Sequence, residues 1–397
     1  MQKAVICGPL RTAIGAFGGS LKDTPATTLG STVVKEILSR ADIDPKEIDD
    51  CIMGNILTAG QGMNPSRQVA LNAGLSIETP AFTLNRVCGS GLQSVALAAQ
   101  AIKAEDSDLI LAGGIENMSA TPFYLTKARY GYRMGMPKEE ITDGMVYDGL
   151  WDIFNDYHMG VTAENLAETY NISREVQDEF AYKSQMKCKA AMEEGKFNDE
   201  IVPVMIPQRR GDPISFVKDE HARADTTLET LGGLRPVFKV GGTVTAGNAS
   251  GINDGAAAML VASEKKAQEL GLKPLVSIRA YAVAGVEPAI MGIGPVPAMQ
   301  KVLDKAGLSI DDIDLVELNE AFAAQSLAVL SDFPIPEEKL NVNGGAIALG
   351  HPIGASGAVL LTKLIHELHK RKKAKLGLAS LCIGGGMGIA MIVEKVK

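Results

Sequence analysis

The sequence has no CxxC pair, no excess of positive charge and no apolar run long enough to cross a bilayer. Each absence narrows the function. Five cysteines stand at 7, 51, 88, 188 and 382, odd in number and widely scattered. That pattern argues against a disulfide framework or a zinc site and leads us to expect free thiols in a reducing cytoplasm. With 39 Lys and Arg against 47 Asp and Glu, the formal net charge is -8. A broad grip on nucleic acid needs clustered cations to neutralise phosphates, so no nucleic-acid partner is expected. No membrane partner is expected either. Met1 leads at once into the strand-like run 4–7, without the basic-then-apolar pattern of a secretory leader, and the expected location is cytoplasmic.

What the chain does have is apolar residues, 46% of its 397, and a length beyond one ordinary core. It also repeats itself. Leu29, Val33, Val34, Ile37, Leu38 and Ala41 recur at helical spacing, then come an acidic turn, the strand 51–54 and Asn55. The same order returns with Ala298, Met299, Val302, Leu303 and Ala306, the turn 307–314, the strand 315–318 and Asn319. A further pair of units corresponds as well. Cys88-Gly-Ser-Gly opens a helix to residue 102 followed by the strand 109–112, while Gly354-Ala-Ser-Gly opens a helix to about 368 followed by the strand 376–381. Alternating strands and helices predict an α/β fold with mainly parallel sheets, and two similar halves predict two stacked copies.

Between the halves, residues 119–247 read differently. This stretch holds the only Trp, Trp151, a helical segment over 162–194, and loops rich in Gly, Pro and Asp. It reads as an insertion from a strand end of the first half, of the kind that forms lids and ligand-binding faces. The apolar run 256–262 then rejoins the first half as a strand.

Several residues could carry chemistry. No charged residue falls between Val87 and Ala101, so the helix after Cys88 is expected to be buried between layers. A thiol at such a helix start sits beside unpaired N–H groups, which lower its pKa, and Gly89 and Gly91 leave room for a ligand. A lone buried cysteine is more often inert packing. His351 stands in the glycine-dense segment 343–357 and could activate a thiol, or merely cap its loop. That segment lacks GK[ST], and no strand-borne GxGxxG occurs, so nucleotide binding by those motifs is not expected. Cys382 follows an apolar strand and precedes Ile383-Gly-Gly-Gly, placing a thiol beside bare backbone N–H groups. Asn319 could hold a water or a carbonyl oxygen, or serve as a helix N-cap.

Together, VCGSG around Cys88, NEAF from Asn319, GGAIALGHPIGASG around His351 and CIGGGMG from Cys382 have the order and spacing of the thiolase family. RTAIGAFGG from Arg11 and AGNASGINDGAA from Ala246 add to a resemblance that covers essentially the whole chain. It is closest to the acetyl-CoA acetyltransferase branch. The implied fold is thiolase-like, with two duplicated βα halves stacked in layers, central buried helices and an inserted loop domain. The halves would be 1–118, completed by about 248–271, and 272–397, with 119–247 inserted for coenzyme A binding and oligomer contacts.

The resemblance also implies roles. Cys88 would take the acyl group, His351 its proton, and Cys382 a proton from the methyl of a second acetyl-CoA. One oxyanion site would be His351 with a water held by Asn319, the other the N–H groups of Cys88 and Gly384. Around coenzyme A, the substrate, the resemblance places Ser250 and Ala246 of the AGNASG loop, His158 and Met159 of YHMG, Ala321, Phe322 and Met291. Arg223 would lie near the nucleotide phosphates. Lys127, Arg129 and Arg133 could add a positive field or form a solvated face. No metal and no permanently bound cofactor is implied, and a homo-oligomer, a dimer of dimers, is. A degradative thiolase for longer 3-ketoacyl chains would share these residues. A decarboxylating ketoacyl synthase would show His at the places of Asn319 and Cys382, and a silent acyl-CoA-binding scaffold would not need the intact quartet.

Overall fold

The computed structural model describes residues 2–132 and 140–396. Nine strands make its backbone: β1 (Ala4–Thr12), β2 (Asp50–Gly54), β3 (Ala81–Leu84), β4 (Leu109–Asn117), β5 (Asn253–Ser263), β6 (Pro274–Gly285), β7 (Leu315–Leu318), β8 (Leu376–Ile383) and β9 (Met387–Lys395). They hydrogen-bond in the order β7-β8-β9-β6-β1-β5-β4-β2-β3. The first half thus runs β1-β5-β4-β2-β3 outward from the middle. The second runs β6-β9-β8-β7 and ends on a parallel bridge from Val316 to Leu340, where its third strand would lie. Spatial order is therefore the same in both halves, and they join through their first strands, β1 antiparallel to β6.

The mainly parallel sheet predicted from the alternation is not what forms. Only β2–β3, β2–β4 and β7–β8 are parallel on this path, and the remaining neighbours are antiparallel. The reason lies in the last strand of each half. β9 follows β8 through the tight turn at Gly384 to Gly386, and β5 returns from the long insertion to lie between β4 and β1.

Eight helices matter for the site: α1 (Ala26–Ala41), α2 (Pro65–Ala73), α3 (Ser90–Ala104), α4 (Met159–Thr169), α5 (Arg174–Glu193), α6 (Pro295–Ala306), α7 (Ala323–Asp332) and α8 (Ser356–Lys370). Their apolar stripes sort them into layers. Leu29, Val33 and Ile37 of α1 and Val69 of α2 bury one face of the first half's sheet, and Met299 and Val302 of α6 with Val329 of α7 bury one face of the second. Between the two halves of the sheet, Leu92, Val95 and Ile102 of α3 pack with Leu361, Leu364 and Leu368 of α8 in one core shared with Ile110, Leu381 and Met391. Burying each such side chain stabilises by about 1.5–3 kcal/mol, which is why α3 carries almost no polar face.

Two glycines set the spacing of the central pair. A Cβ on Gly91 would stand 2.8 Å from the backbone nitrogen of Ala358, and one on Gly357 would stand 2.4 Å from that of Leu92. The relation is reciprocal, so the starts of α3 and α8 are equivalent. The halves differ slightly from the pairing suggested by Asn55 and Asn319. Asp49 accepts from the N–H groups of Asp108 and Leu109, and Asp314 from those of Lys375 and Leu376. These matching contacts align Gly54 with Asn319. The single helix predicted over 162–194 is two, α4 and α5, broken where Asn171 takes a left-handed φ of 52° and Ser173 caps α5 through its side chain.

Candidate functional site

Cys88 lies just outside α3, whose N-cap is Gly89. The turn before it is strained: Val87, a β-branched residue, holds a φ of 44°. Ser90 fixes that turn, accepting from the N–H of Arg86 at 2.8 Å and donating to the carbonyl of Val87 at 2.7 Å. Gly89 and Gly91 leave no room for a ligand, contrary to the sequence reading. They are there for packing, since a Cβ on Gly89 would meet Ile383 Cδ1 at 2.5 Å. Nor is the thiol acidic. Burial pushes it up to about 11, against the pull of the N–H of Gly384 and its own N–H, while the Glu116 carboxylate adds a smaller push.

Cys382 is buried near the end of β8, and burial, with the neighbouring Cys88, raises its thiol above the ordinary range. Gly384 sits in the turn that follows, between Val87 and the sulfur of Met159. Both cysteines therefore rest as neutral thiols near one another, with the N–H of Gly384 on Cys88. A base is needed before either can react.

His351 can be that base. It leaves the short helix Ala346–Leu349 through Gly350, whose φ of 106° and closeness to Asn253 exclude any side chain. Its N–H donates to Asn253 Oδ1 at 2.8 Å, fixing the loop. Nδ1 lies 2.6 Å from Ser356 Oγ, and that hydroxyl donates to the carbonyl of Pro352 at 2.9 Å. With its one proton so committed, Ser356 accepts from Nδ1–H, which leaves a lone pair on Nε2. Burial lowers the imidazole to about 4, so it is neutral and able to accept a proton at pH 7.

Asn319 caps no helix; α7 starts at Ala323 with Phe322 as its N-cap. Its Nδ2 instead stands 3.5 Å from His351 Nε2, and its buried Oδ1 has no hydrogen-bond partner among the described residues. A buried carbonyl oxygen facing a site in this way suits a water or a substrate group.

The residues expected around coenzyme A divide into two groups. Met159, Met291, Ala321, Phe322 and Cys382 share one apolar cluster. His158 joins it by stacking on Phe238, with ring centroids 4.7 Å apart, and Phe238 meets Phe322 edge-on at 6.1 Å. The His158 Nδ1 accepts from the N–H of Gly160, and burial lowers its pKa, so this ring is neutral. Ser250 donates its backbone N–H to the carbonyl of Ala321 at 2.9 Å. Arg223 and Ala246 lie apart, in a surface hollow shared with Gln185, His221, Leu231 and Leu234. Lys127 and Arg129 are exposed, and Arg133 lies outside the described residues.

Sequence reasoning missed Phe238 and Ser356. Phe238 belongs to no periodic element, and the only hint was Gly160, whose Cβ would land 2.2 Å from its ring. Ser356 appeared in the repeat as the counterpart of Ser90, without a role. No group of three or more His, Cys, Asp or Glu fit to hold a metal ion occurs among the described residues. No helix there is long and apolar enough to cross a membrane.

Comparison with known proteins agrees with this architecture along the whole chain. The family model for the thiolase N-terminal domain matches residues 4–265, and that for the thiolase C-terminal domain matches 272–395. The chain is 56% identical over 395 residues to the acetyl-CoA acetyltransferase of Cupriavidus necator, covering 100% of both. To a probable acetyl-CoA acyltransferase of Staphylococcus aureus it is 55% identical over 397 residues, again covering 100% of both. The crystal structure of the Bacillus anthracis acetyl-CoA acetyltransferase superposes with a TM-score of 0.97 at 46% identity, over 100% of this chain and 99% of that one. Human mitochondrial 3-ketoacyl-CoA thiolase in complex with CoA gives 0.95 at 45% identity, over 100% and 98%. Matched from end to end by both family models, the chain belongs to the thiolase family.

Proposed function

We propose that this protein is an acetyl-CoA C-acetyltransferase, joining two acetyl-CoA reversibly into acetoacetyl-CoA and free coenzyme A. The observation that carries the reading is the meeting of two neutral thiols, Cys88 at the N–H of Gly384 and Cys382 close enough for Cys88 to raise its pKa, with a neutral imidazole beside Asn319. In the first half-reaction His351 Nε2 takes the Cys88 proton as the sulfur attacks the acetyl carbonyl. The carbonyl oxygen becomes an oxyanion, and its collapse expels coenzyme A thiolate, which takes that proton. In the second, the Cys382 thiol first gives its proton to the neutral imidazole of His351; the resulting thiolate removes an α-proton from another acetyl-CoA, and the carbanion attacks acetyl-Cys88. Collapse of that adduct frees the Cys88 thiolate, which takes the proton from His351, so all three groups end in their resting states. Each half-reaction builds negative charge on a thioester oxygen, and one oxyanion-hole donor is worth about two to three powers of ten in rate.

Coenzyme A is the substrate, and no permanent cofactor enters these steps. His158, Met159, Met291, Ala321 and Phe322 would hold the thioester end, Ser250 and Ala246 the pantetheine arm, and Arg223 the phosphates. Residues 119–247 act as the inserted coenzyme A-binding and oligomer-contact domain between the halves 1–118 with 248–271 and 272–397. A cytoplasmic dimer of dimers completes the reading. Mass spectrometry after incubation with acetyl-CoA should find acetyl on Cys88. Thiolysis of acetoacetyl-CoA should outrun that of 3-ketohexadecanoyl-CoA; the reverse preference would favour a degradative thiolase, and coenzyme A binding without acetylation a silent scaffold.

A further inference from the structure

One fully buried acid has no part in those steps. Glu116, near the end of β4, has no exposed surface, and its carboxylate is surrounded by donors from both halves of the molecule. Oε1 accepts from Asn55 Nδ2 at 2.6 Å and from the N–H of Leu57 at 3.2 Å. Oε2 accepts from the N–H of Ile56 at 3.1 Å and from that of Gly354 at 2.9 Å. Residues 55–57 follow β2 in the first half. Gly354 lies three residues past His351 in the second.

The segments so joined are the ones that wall in the nucleophile. Ile56, Leu57 and Ile353 form a buried cluster with Met118 and Met145, and Val87 and Cys88 pack against it. A carboxylate holding Ile56 and Leu57 by their N–H groups, and Ile353 through its neighbour Gly354, fixes three sides of that cluster at once. There is little slack, since a Cβ on Gly354 would stand 2.5 Å from Glu116 Oε2. The duplication adds an independent sign. By the reciprocal packing of α3 on α8, Gly354 is the counterpart of Cys88. Glu116 Oε2 therefore sits on the N–H equivalent to the Cys88 N–H proposed to receive an oxyanion. That place in the second half is filled permanently by a protein oxygen.

We propose that Glu116 is a positioning residue for the acyl-transfer reaction, a carboxylate splint that holds the His351 loop in reacting distance of Cys88. The proposal rests on the acetyltransferase reading. It assigns Glu116 no contact with substrate, so its effect is on rate rather than on binding. Misplacing a base by an ångström costs about a hundredfold in rate.

Glu116→Gln keeps the shape but turns an NH2 toward two N–H donors on one side of the splint. Purified Glu116→Gln and wild-type enzyme should be compared for acetyl-Cys88 formation in rapid-quench mass spectrometry and for kcat and KM in acetoacetyl-CoA thiolysis. The expected result is a drop of at least tenfold in the acetylation rate and in kcat, with KM within about twofold, in protein whose circular dichroism matches wild type. Asn55→Ala, which removes only one donor, should act in the same direction and more weakly, and serves if Glu116→Gln does not fold. Wild-type rates in the folded variant, or a lowered melting temperature with unchanged acetylation, overturn the splint. A wild-type protein that never acetylates Cys88 overturns the underlying reading, and the splint with it.

Discussion

His351 Nδ1 stands 2.6 Å from Ser356 Oγ, and Ser356 in turn is tied to the carbonyl of Pro352. The pair decides which nitrogen of the imidazole is free. Without the hydroxyl, nothing in the loop distinguishes the tautomers. Ser356→Ala is expected to lower kcat by about tenfold, a fraction of what a general base contributes, with little change in KM. Steady-state thiolysis would check this, and nitrogen NMR of the imidazole should show a mixed tautomer.

The two thiols should separate by half-reaction. Cys88→Ala is expected to abolish acetyl-enzyme formation, whereas Cys382→Ala keeps it and loses carbon–carbon bond formation. Acetyl-CoA with mass spectrometry reads the first, and acetoacetyl-CoA synthesis the second. Acetylation that survives in Cys88→Ala would refute the assignment.

Acid should weaken the fold through His351. Burial holds its folded-state pKa near 4, against an ordinary value of 6.5, so the unfolded chain takes up the proton first. Stability is then lost as pH falls from 6.5 toward 4, by up to about 3 kcal/mol for this group. Glu116 has the opposite sign: burial raises it to about 7, so its contribution weakens as pH rises from 4.5 to 7. Denaturant melts of wild type and His351→Gln at pH 4.5 and 7 should show the gap between them shifting in favour of the variant at the lower pH.

Gly160→Ala should act on binding. Its methyl would land on the Phe238 ring, forcing it off His158. We expect KM for acetyl-CoA to rise severalfold, kcat to change less, and stability to drop by about 1–3 kcal/mol from overpacking.

The buried ion pair between Lys363 of α8 and Glu317 of β7, 2.9 Å apart, ties the central helices to the second half's sheet. Lys363→Met leaves Glu317 unpaired and should cost about 3–5 kcal/mol in urea melts. Adding Glu317→Leu should recover most of that loss.

Much of the fold was legible because the duplication is written in apolar spacing. The strand 315–318 forms over the predicted residues, and the charge-free stretch after Val87 does become a helix sealed between the two halves of the sheet. Strand direction was not legible. Whether β5 runs parallel or antiparallel depends on how 119–247 returns, and that is set by contacts far apart in sequence. The thiol of Cys88 shows the same limit: a helix start suggests an acidic thiol, but the depth of burial that outweighs it belongs to the packed molecule.

The sequence by itself singled out the residues proposed to carry the chemistry, since Cys88, Asn319, His351 and Cys382 each stand in a short, distinctive segment. It also carried the repeat whose two copies open their central helices at Cys88-Gly-Ser-Gly and Gly354-Ala-Ser-Gly. Only the tertiary structure decided their states: a neutral imidazole with its Nε2 free, two neighbouring protonated thiols, and a carboxyl group bridging the halves at Glu116. The physical reason is that motif order follows the chain, whereas protonation and tautomer follow burial and hydrogen bonds between distant segments.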